Sequence, residues 1–555
     1  MQKLPIGIQS FEKIRTKNYL YVDKTKQILK LIESGECYFL SRPRRFGKSL
    51  TISTLEAMFK GKAELFKGLY AEEWVKEQAK NPYGVIRLDM GNLTAYKNGD
   101  ELNDSLVFYL SRFIKRNKLD ILLDSKNAGK LFLEIISELY DKFGSVVVLI
   151  DEYDKPMTDN IDNLEKANEM REILRPFYGL LKDLDEVSFI MFTGVSKFSK
   201  AGVFSGLNNL KDISLFEKYG DIVGYTQKEL EDNFGDWIEK NSKEMSLSRE
   251  ELLNKIKRYY DGFSFDGKVR VYNPFSVLNF FSKGRFGNYW YISGLPSFLA
   301  KYFKRHGITN PDKFRHIEVE STFADEHEIE SSTCESFLYQ AGYLTIEKWE
   351  SKGDKEILTL DYPNLEVLGS ISSLYLKDIY HIENYLPLGN ALWNAIKTLK
   401  EDGNVEEIVA IFNSVLEKIP YIDFPVKEKE DNYIPSNRMN GESWYRSLFV
   451  VLLRGGAGVS SFQESFSKDG RADLVIPFED KIIIIEFKFA KSSKEVDKKR
   501  AEGQEQVTRY AESYKNELIV KNSDEFLKNN PHKGAGKKII TVVLVADNEK
   551  KQVVG

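Results

Sequence analysis

Four strand-sized apolar runs in the first 220 residues constrain the fold more than any other feature. They are ECYFL (36–40), VIRLDM (85–90), SVVVLIDEYD (145–154) and VSFIMFTG (187–194), and helix-length segments separate them. Short runs rich in Val, Ile and Phe are typical of strands buried on both faces of a parallel sheet. Their alternation with helices predicts a doubly wound α/β domain with its ligand at the carboxyl ends of the strands.

The chain is longer than one such domain requires. Its 555 residues exceed what a single core usually supports. Residues 224–380 are mostly helical and aromatic-rich in pattern, residues 425–441 are polar and turn-rich, and a second α/β pattern follows. We therefore predict an α/β multidomain chain in four parts: an α/β domain (1–222), a helical, winged-helix-like lid region (223–380), a helical connector and linker (381–436) and a second α/β domain (437–555).

Composition narrows the class of protein. The chain is 42% hydrophobic and 30% charged, as globular proteins are. Its net charge of -4 argues against a protein that binds nucleic acid over its whole surface, but a local basic groove stays possible. Two cysteines, Cys37 and Cys334, cannot build a disulfide framework or a cysteine zinc site. No apolar run approaches the roughly 20 residues of a membrane span, so we expect a cytoplasmic protein with no membrane partner.

The segment SRPRRFGKSL (41–50) ends like a phosphate-binding loop. Gly47, Lys48 and Ser49 fit G-x-x-x-x-G-K-[ST], but Arg42 stands where the first glycine belongs. A strand precedes the loop and a helix follows it, so backbone N–H groups would cradle phosphate. Lys48 would reach the β- and γ-phosphates, and Ser49 would ligate Mg²⁺. The competing interpretation is a helix N-terminus after a basic loop.

A second motif favours the nucleotide site. VVVLIDEYD places Asp151 at the end of an apolar strand, with Glu152 next to it. We expect Asp151 to hold Mg²⁺ through water and Glu152 to polarise the attacking water. Thr193 and Ser196, at the end of the following strand, are candidates for sensing the γ-phosphate.

The basic residues near these motifs have several open roles. Arginines of the loop add positive charge and either contact phosphate, brace the loop or face another domain. Lys197 and Lys200 fit solvated surface better than phosphate contacts. The expected nucleotide-binding loop consists of Arg42, Pro43, Arg44, Arg45, Phe46, Gly47, Lys48 and Ser49.

Two strand-like segments near the C-terminus bring three charged residues together. ADLVIP and IIIIEFKF are joined by the turn FEDK. If Pro477 pairs with Ile482, Asp473 lies opposite Glu486, about 5 Å away at Cβ, and Lys488 shares their face. Neighbouring carboxylates are costly unless a cation joins them, which predicts a Mg²⁺ or Mn²⁺ site. The competing interpretation, a solvated hairpin, conflicts with the burial that IIII implies.

Together these motifs resemble the bacterial AAA-ATPase-like family, which is commonly joined to a nuclease-like domain of the PD-(D/E)XK superfamily. The family itself carries RPRRFGKS, so Arg42 is its normal residue. The resemblance implies an ASCE-type P-loop ATPase related to archaeal ATPases and STAND switches, with a helical lid and a C-terminal restriction-endonuclease-like domain. It is carried by YVDKT, FLSRPRRFGKSL, LIDEYD, FTGVSKFS, FSGLNNLKDIS, YYDGFSF, YNPFSVLNFF, LYQAGYLTI and YPNLEV.

The resemblance also implies roles for individual residues of the ATPase part. It carries Gly47, Lys48 and Ser49 over as phosphate and Mg²⁺ contacts, and Asp151 and Glu152 as metal and water contacts. Tyr21 and Asp23, in YVDKT, become candidates for holding adenine. Pro296 resembles the lid proline of STAND proteins; the alternative interpretation is a proline in an ordinary turn.

In the nuclease part, the resemblance implies the D…E-x-K arrangement at Asp473, Glu486 and Lys488, in which the metal and the lysine activate water for phosphodiester cleavage. It implies an additional acidic ligand at Glu442. The helix AEGQEQVTRYAESY matches the Q-x-x-x-Y element of RecB-like nucleases through Gln506 and Tyr510. The alternative match for the glutamine is Gln504.

These observations predict an ATP-dependent or ATP-gated nuclease acting on DNA or RNA, in a setting such as defence or mobile-element biology. The alternative is a non-catalytic ATP-dependent switch that binds nucleic acid or a protein partner; homo-oligomerisation stays open. The expected cofactors are ATP and Mg²⁺, with Mn²⁺ as an option at the nuclease site. The expected catalytic residues are Glu152, Asp473, Glu486 and Lys488, and the expected metal ligands are Ser49, Asp151, Glu442, Asp473 and Glu486.

Overall fold

The chain forms two compact units in a computed structural model. The first unit contains Met1–Gly294 and Phe314–Asn364, and the second contains Leu295–Lys313 and Leu365–Gly555. The division into four parts stays a prediction, and residues 425–440 of the predicted linker lie outside the described residues. The structure describes the chain except for residues 94–95, 123–124, 161–162, 198–201, 205, 208, 293–298, 301–302, 305–307, 309, 325–332, 400–404, 420–440, 460–461, 468–469, 479–480 and 517–537.

A five-stranded parallel sheet forms the centre of the first unit. Its strands lie in the order β2-β3-β4-β1-β5 and all their pairings are parallel. The predicted parallel sheet is therefore confirmed. Strand β4 lies between β1 and β3. The strands are β1 Cys37–Ser41, β2 Gly84–Asp89, β3 Val146–Asp151, β4 Val187–Gly194 and β5 Lys211–Asp212.

The middle strand β3 is buried along its whole length because helices cover both faces of the sheet. Val146, Val148 and Ile150 pack in one core with residues of α5, α6 and α8, while Val147 and Leu149 face the other way and are also buried. This is why the sequence shows a continuous apolar run. The helices that precede β4 in the chain are α1 Phe11–Thr16, α2 Thr25–Ile32, α3 Lys48–Phe59, α4 Glu72–Gln78, α5 Gly99–Asn117, α6 Ala128–Phe143, α7 Lys155–Thr158 and α8 Leu164–Gly179.

The rest of the first unit combines helices with a small antiparallel sheet of order β6-β8-β7. Two of its helices begin with capping boxes, at Thr226 with Glu229 and at Ser248 with Glu251, which satisfy free N–H groups of the first turn. The elements are α9 Gln227–Asn233, α10 Gly235–Met245, α11 Arg249–Tyr260, α12 Pro274–Lys283, α13 Tyr289–Ile292, β6 Ile317–Glu320, α14 Cys334–Ala341, β7 Thr345–Lys352 and β8 Lys355–Asp361.

The second unit is built on a mixed sheet of order β13-β12-β11-β10-β9. Strand β11 is parallel to β12 and antiparallel to β10. The four isoleucines at the start of β11, residues 482–485, are all buried, as IIII predicts. The elements are α15 Leu365–Leu374, α16 Tyr385–Thr398, α17 Glu406–Leu416, α18 Glu442–Val451, β9 Phe462–Ser467, β10 Gly470–Pro477, β11 Lys481–Ala490, α19 Val496–Asn516, β12 Lys538–Asp547 and β13 Gln552–Val554.

Two glycines fix the position of α18 in the second unit. A π-helical turn, Leu452–Gly456, continues α18 and packs on α16. A Cβ added to Gly389 would lie 2.5 Å from the Cα of Gly456, a separation that atoms in proteins do not adopt. The absence of side chains therefore permits the close approach of these two helices.

We expect Gly389→Ala to destabilise the second unit by about 1–3 kcal/mol, because the methyl group would meet backbone rather than a flexible side chain. Thermal unfolding of the full chain, compared with wild type, measures the effect. Gly235→Ala is the matched control, since a Cβ at that helical glycine would enter open space. Equal unfolding temperatures for Gly389→Ala and wild type would contradict this packing.

Candidate functional site

The loop between β1 and α3 has the backbone of a phosphate cradle. Gly47 caps α3 with φ 103°, and Arg45 adopts φ 71°. The left-handed conformations thus fall on Arg45 and Gly47, which explains why Arg42 can replace the usual first glycine. Lys48 curls back over the loop and donates from Nζ to the carbonyls of Arg42 (2.8 Å) and Pro43 (3.0 Å).

Arg42 braces the loop from inside the protein. Its side chain is 1% exposed and donates to the carbonyls of Ser41, Ser214 and Tyr219, and its guanidinium lies 4.0 Å from the ring centre of Phe265. Burial lowers the pKa of Arg42 to about 10. These contacts favour bracing among the three roles left open, and a nucleotide contact from the Arg42 side chain stays a prediction.

The remaining side chains of the loop divide into packed and exposed ones. Phe46 is buried, with ring centres 4.8 Å from Phe263 and 5.7 Å from Phe265, so it anchors the loop instead of lining the ligand. Arg44 and Arg45 are exposed. They are the arginines of this loop that stay candidates for phosphate contact.

Pro43 is also buried, and its ring packs against Gly342, where an added Cβ would lie 2.6 Å from the Pro43 Cβ. The carbonyl of Arg44 accepts from the indole nitrogen of Trp290 (3.2 Å). Residues of α13 and of the turn after α14 therefore hold the loop from a second side.

Asp151 ends β3 with one carboxylate oxygen satisfied and one not. Its Oδ1 accepts from Thr193 Oγ1 (2.6 Å) and from the N–H of Glu152 (3.2 Å). Its Oδ2 is buried and has no hydrogen-bond partner among the described residues. A buried carboxylate oxygen without a partner is costly, and a divalent cation bound directly or through water relieves that cost. The residue therefore fits the Mg²⁺ of a nucleotide, and Thr193 orients it.

Glu152 stands among other acids at the same end of the sheet. It adopts φ 52°, and burial, with the charges of Asp151 and Asp89, raises its pKa. Asp89 ends β2 in register with Asp151. A Cβ on Gly91 would collide with Glu152 Oε2, so the glycine makes room for this carboxylate. Sequence reasoning missed Asp89, although VIRLD and VVVLID both end in aspartate, because the adjacency of β2 and β3 is a tertiary fact.

Lys48 is a buried cation whose charge interacts with these acids. Burial lowers its pKa to about 8, and the charges of Asp151, Asp154 and Glu152 oppose that shift. Among the described residues, the hydrogen-bond partners of this buried ammonium are two carbonyls, so an arriving anion would stabilise it. Ser49 follows it in the first turn of α3, half-buried.

The segment after β4 is held by Asp154, which sequence reasoning did not single out. Its Oδ2 accepts from the N–H groups of Val195 (3.1 Å) and Ser196 (2.7 Å). Lys197 is buried and pairs with Asp212 at 2.9 Å, so the expectation that it is a solvated surface residue is wrong. Lys200 lies outside the described residues.

The candidates for holding adenine have other partners. Asp23 accepts from Thr25 N (2.8 Å) and from Tyr70 N (2.8 Å), and so anchors the start of α2. Tyr21 packs edge-on against Phe11 at 5.1 Å. The adenine role of Tyr21 and Asp23 therefore stays a prediction. Pro296 lies outside the described residues.

The second site lies on β10 and β11 in the second unit. Pro477 pairs with Ile482, so the predicted register is confirmed. The N–H of Asp473 lies 3.5 Å from Glu486 Oε2, and Lys488 Nζ donates to Glu486 Oε1 at 2.8 Å. Lys488 Nζ also lies 3.8 Å from Glu442 Oε2. The structure thus brings together all four residues predicted for this site.

Burial governs the electrostatics of this cluster. Asp473, Glu486 and Lys488 are each less than 10% exposed. Burial and the charge of Asp473 raise the pKa of Glu486. Burial alone would lower the pKa of Lys488, but its hydrogen bond and ion pairs with the carboxylates outweigh it and raise that pKa. The donor set of carboxylate oxygens fits Mg²⁺ or Mn²⁺.

Helix α19 covers the same face of the sheet. A Cβ on Gly503 would lie 3.3 Å from Lys488 Cγ, so the helix packs directly on the site. Tyr510 is buried, and Gln506 has a buried Oε1 that finds no hydrogen-bond partner in the described part of the chain, whereas Gln504 is exposed. The geometry therefore favours Gln506 as the glutamine of the Q-x-x-x-Y element.

A third group of possible ligands lies in the small sheet of the first unit. Ligand atoms of His316, Glu347 and Asp361 lie within 4.8 Å of one another. The wide spacing of these residues in the sequence gave no signal for the cluster. Arg315 already pairs with both oxygens of Asp361, at 3.1 and 3.0 Å. The arrangement is an ion-pair network in which Arg315 supplies the cation.

Comparison with known proteins agrees with both sites. Residues 5–204 match the AAA-ATPase-like family, described as "Predicted AAA-ATPase", and residues 440–554 match the PD-(D/E)XK nuclease superfamily. The chain thus joins an AAA-ATPase-like domain to a PD-(D/E)XK nuclease-like domain. A protein of Azotobacter chroococcum mcd 1, named "Uncharacterized protein in vnfD 5'region", is 34% identical over 499 residues, 88% of this chain and 89% of that protein. The chain belongs to the family that these matches define.

Two solved structures also match, loosely. The structure of the Aeropyrum pernix ORC1 protein in complex with DNA is 12% identical, covers 63% of this chain and 92% of that chain, and has a TM-score of 0.24. The Aeropyrum pernix ORC2 protein is 9% identical, covers 63% and 93%, and has a TM-score of 0.25. Likeness at this level carries no argument about function. Among the described residues, no helix combines the length and apolar character needed to cross a membrane.

We expect the affinity for ATP to fall as the pH rises above about 8. At a pH below the pKa of Lys48, the side chain is already charged, so the affinity for ATP does not change with pH. At a pH above that pKa, Lys48 must take up a proton when phosphate binds. The Kd then rises by up to roughly tenfold per pH unit. Titration of a fluorescent ATP analogue between pH 7 and 10 measures this, with Lys48→Ala as a pH-insensitive control. A flat curve for the wild type would contradict the assignment.

Proposed function

We propose that the chain is an ATP-dependent nuclease. The first unit binds and hydrolyses ATP, and the second cleaves the phosphodiester backbone of DNA or RNA with a divalent metal. One observation carries the proposal: each unit holds a cluster of acids on or beside its sheet, next to a buried lysine, and each cluster falls within a matched domain. Acids and lysines buried together are typical of phosphoryl-transfer sites.

In the ATPase site, each residue has a distinct task. The N–H groups of the loop and of the first turn of α3 bind phosphate, and Lys48 exchanges its carbonyl partners for phosphate oxygens. Bound Mg²⁺, held by Ser49 and Asp151, would neutralise charge on the phosphates. Glu152 accepts a proton from the attacking water, and its raised pKa suits a general base. The bond from the γ-phosphorus to the bridging oxygen then breaks, giving ADP and phosphate.

In the nuclease site, Asp473, Glu486 and Glu442 would hold the divalent ion, whose chemistry is to acidify bound water and stabilise the phosphate. Lys488 stays protonated against Glu486 and orients water toward the scissile phosphate. Gln506 offers its buried, unpartnered amide oxygen on the covering helix. Water adds to phosphorus, and a P–O bond of the backbone breaks.

We expect Glu152→Gln to bind ATP but to hydrolyse it at least about hundredfold more slowly, since an amide cannot accept the proton from water. Phosphate release at saturating ATP measures the rate, and ATP-analogue titration measures binding. Glu165→Gln, an exposed glutamate at the start of α8, is the control. Hydrolysis by Glu152→Gln at the wild-type rate would remove the residue from this role.

We expect Lys488→Ala to abolish metal-dependent cleavage, because the variant loses the cation that orients water beside Glu486. Gel assays of end-labelled DNA and RNA with Mn²⁺ measure it, and thermal unfolding shows whether the variant is folded. Lys494→Ala, an exposed lysine of the same domain, should cleave normally. Asp473→Asn provides a second inactive variant. Undiminished cleavage by both inactive variants would place the nuclease elsewhere or exclude it.

A further inference from the structure

Arg446 forms an ion pair with one carboxylate of the nuclease site. It lies one helical turn after Glu442 on α18, and its Nη1 donates to Asp473 Oδ1 at 2.7 Å. The two side chains are 17% and 11% exposed. The other oxygen of Asp473 accepts from the N–H of Phe487 at 2.8 Å. Both oxygens of this proposed metal ligand are therefore engaged within the protein.

The net charge of the cluster decides whether the contact between Arg446 and Asp473 is favourable. Lys488 contacts two of the three carboxylates, Glu486 and Glu442, and Arg446 contacts the third. The two cations leave the cluster with one net negative charge. A divalent ion would reverse that sign, so the guanidinium and the ion compete for Asp473 Oδ1.

We propose that Arg446 exchanges partners: it holds Asp473 before metal binds, and it contacts a phosphate of the nucleic acid once a divalent ion replaces it. The inference rests on the proposed nuclease function. A guanidinium released from Asp473 stays beside the site because α18 fixes its backbone. Its planar, paired donors match the phosphate group. Arg446 thus both sets the threshold for metal binding and positions the substrate.

The first test is a calorimetric titration of Mn²⁺ into the full chain without nucleotide. The component that Glu486→Gln abolishes defines the nuclease site. We expect Arg446→Gln to bind Mn²⁺ about tenfold more tightly, since the ion no longer displaces a charged hydrogen bond. Arg500→Gln is the matched control, because Arg500 pairs with exposed Asp497 at 3.4 Å. Thermal unfolding verifies that each variant is folded.

The second test is the cleavage rate at saturating Mn²⁺. We expect Arg446→Gln to cleave at least about tenfold more slowly despite its tighter metal binding, and Arg446→Lys to recover part of the rate. If Arg446 only held Asp473 in position, its removal would weaken metal binding, because Asp473 would lose its orientation. The opposite signs of the two effects therefore identify the exchange.

Weaker or unchanged Mn²⁺ binding by Arg446→Gln overturns the proposal, as does an undiminished cleavage rate at saturating Mn²⁺. Absence of cleavage by the wild type overturns the proposed function instead. The Mn²⁺ titration still tests the competition for Asp473 in that case, because it requires no turnover.

Discussion

The burial of carboxylates beside one another is the constraint on which both sites depend. Asp89 and Asp151 end neighbouring parallel strands, and Asp473 lies next to Glu486 across an antiparallel pair. Such neighbours repel unless a cation joins them. Lysine supplies part of the compensation in each unit, through Lys48 and Lys488. The unpartnered Oδ2 of Asp151 marks where that compensation is incomplete.

The phosphate loop shows how the surrounding fold supports such a site. Arg42 bonds three backbone carbonyls from within, and Phe46 is enclosed by Phe263 and Phe265. Trp290 bonds the Arg44 carbonyl from another side. A loop held in this way keeps its N–H groups directed without help from an additional glycine. Rigid support of this kind is what lets a binding site avoid the entropic cost of ordering.

The sequence predicted most of the fold and the main residues of both sites because the patterns involved are local. The run IIII predicted the burial of β11, and the turn FEDK between the two strands predicted the pairing of Pro477 with Ile482. The sequence left three roles open for Arg42 and favoured a solvated Lys197, because the tertiary partners that bury both side chains are distant in sequence. Asp89 and Arg446 were missed for the same reason: their partners, Asp151 and Asp473, are distant in sequence.

The central claim is that one chain couples ATP to cleavage of nucleic acid. The most direct measurement is the cleavage of a panel of single- and double-stranded DNA and RNA with Mg²⁺ or Mn²⁺, with and without ATP, by wild type and Lys48→Ala. We expect at least one substrate to be cut, and we expect ATP to change the rate for the wild type but not for Lys48→Ala. Cleavage that ATP leaves unchanged in the wild type, or no cleavage of any substrate with either metal, would contradict it.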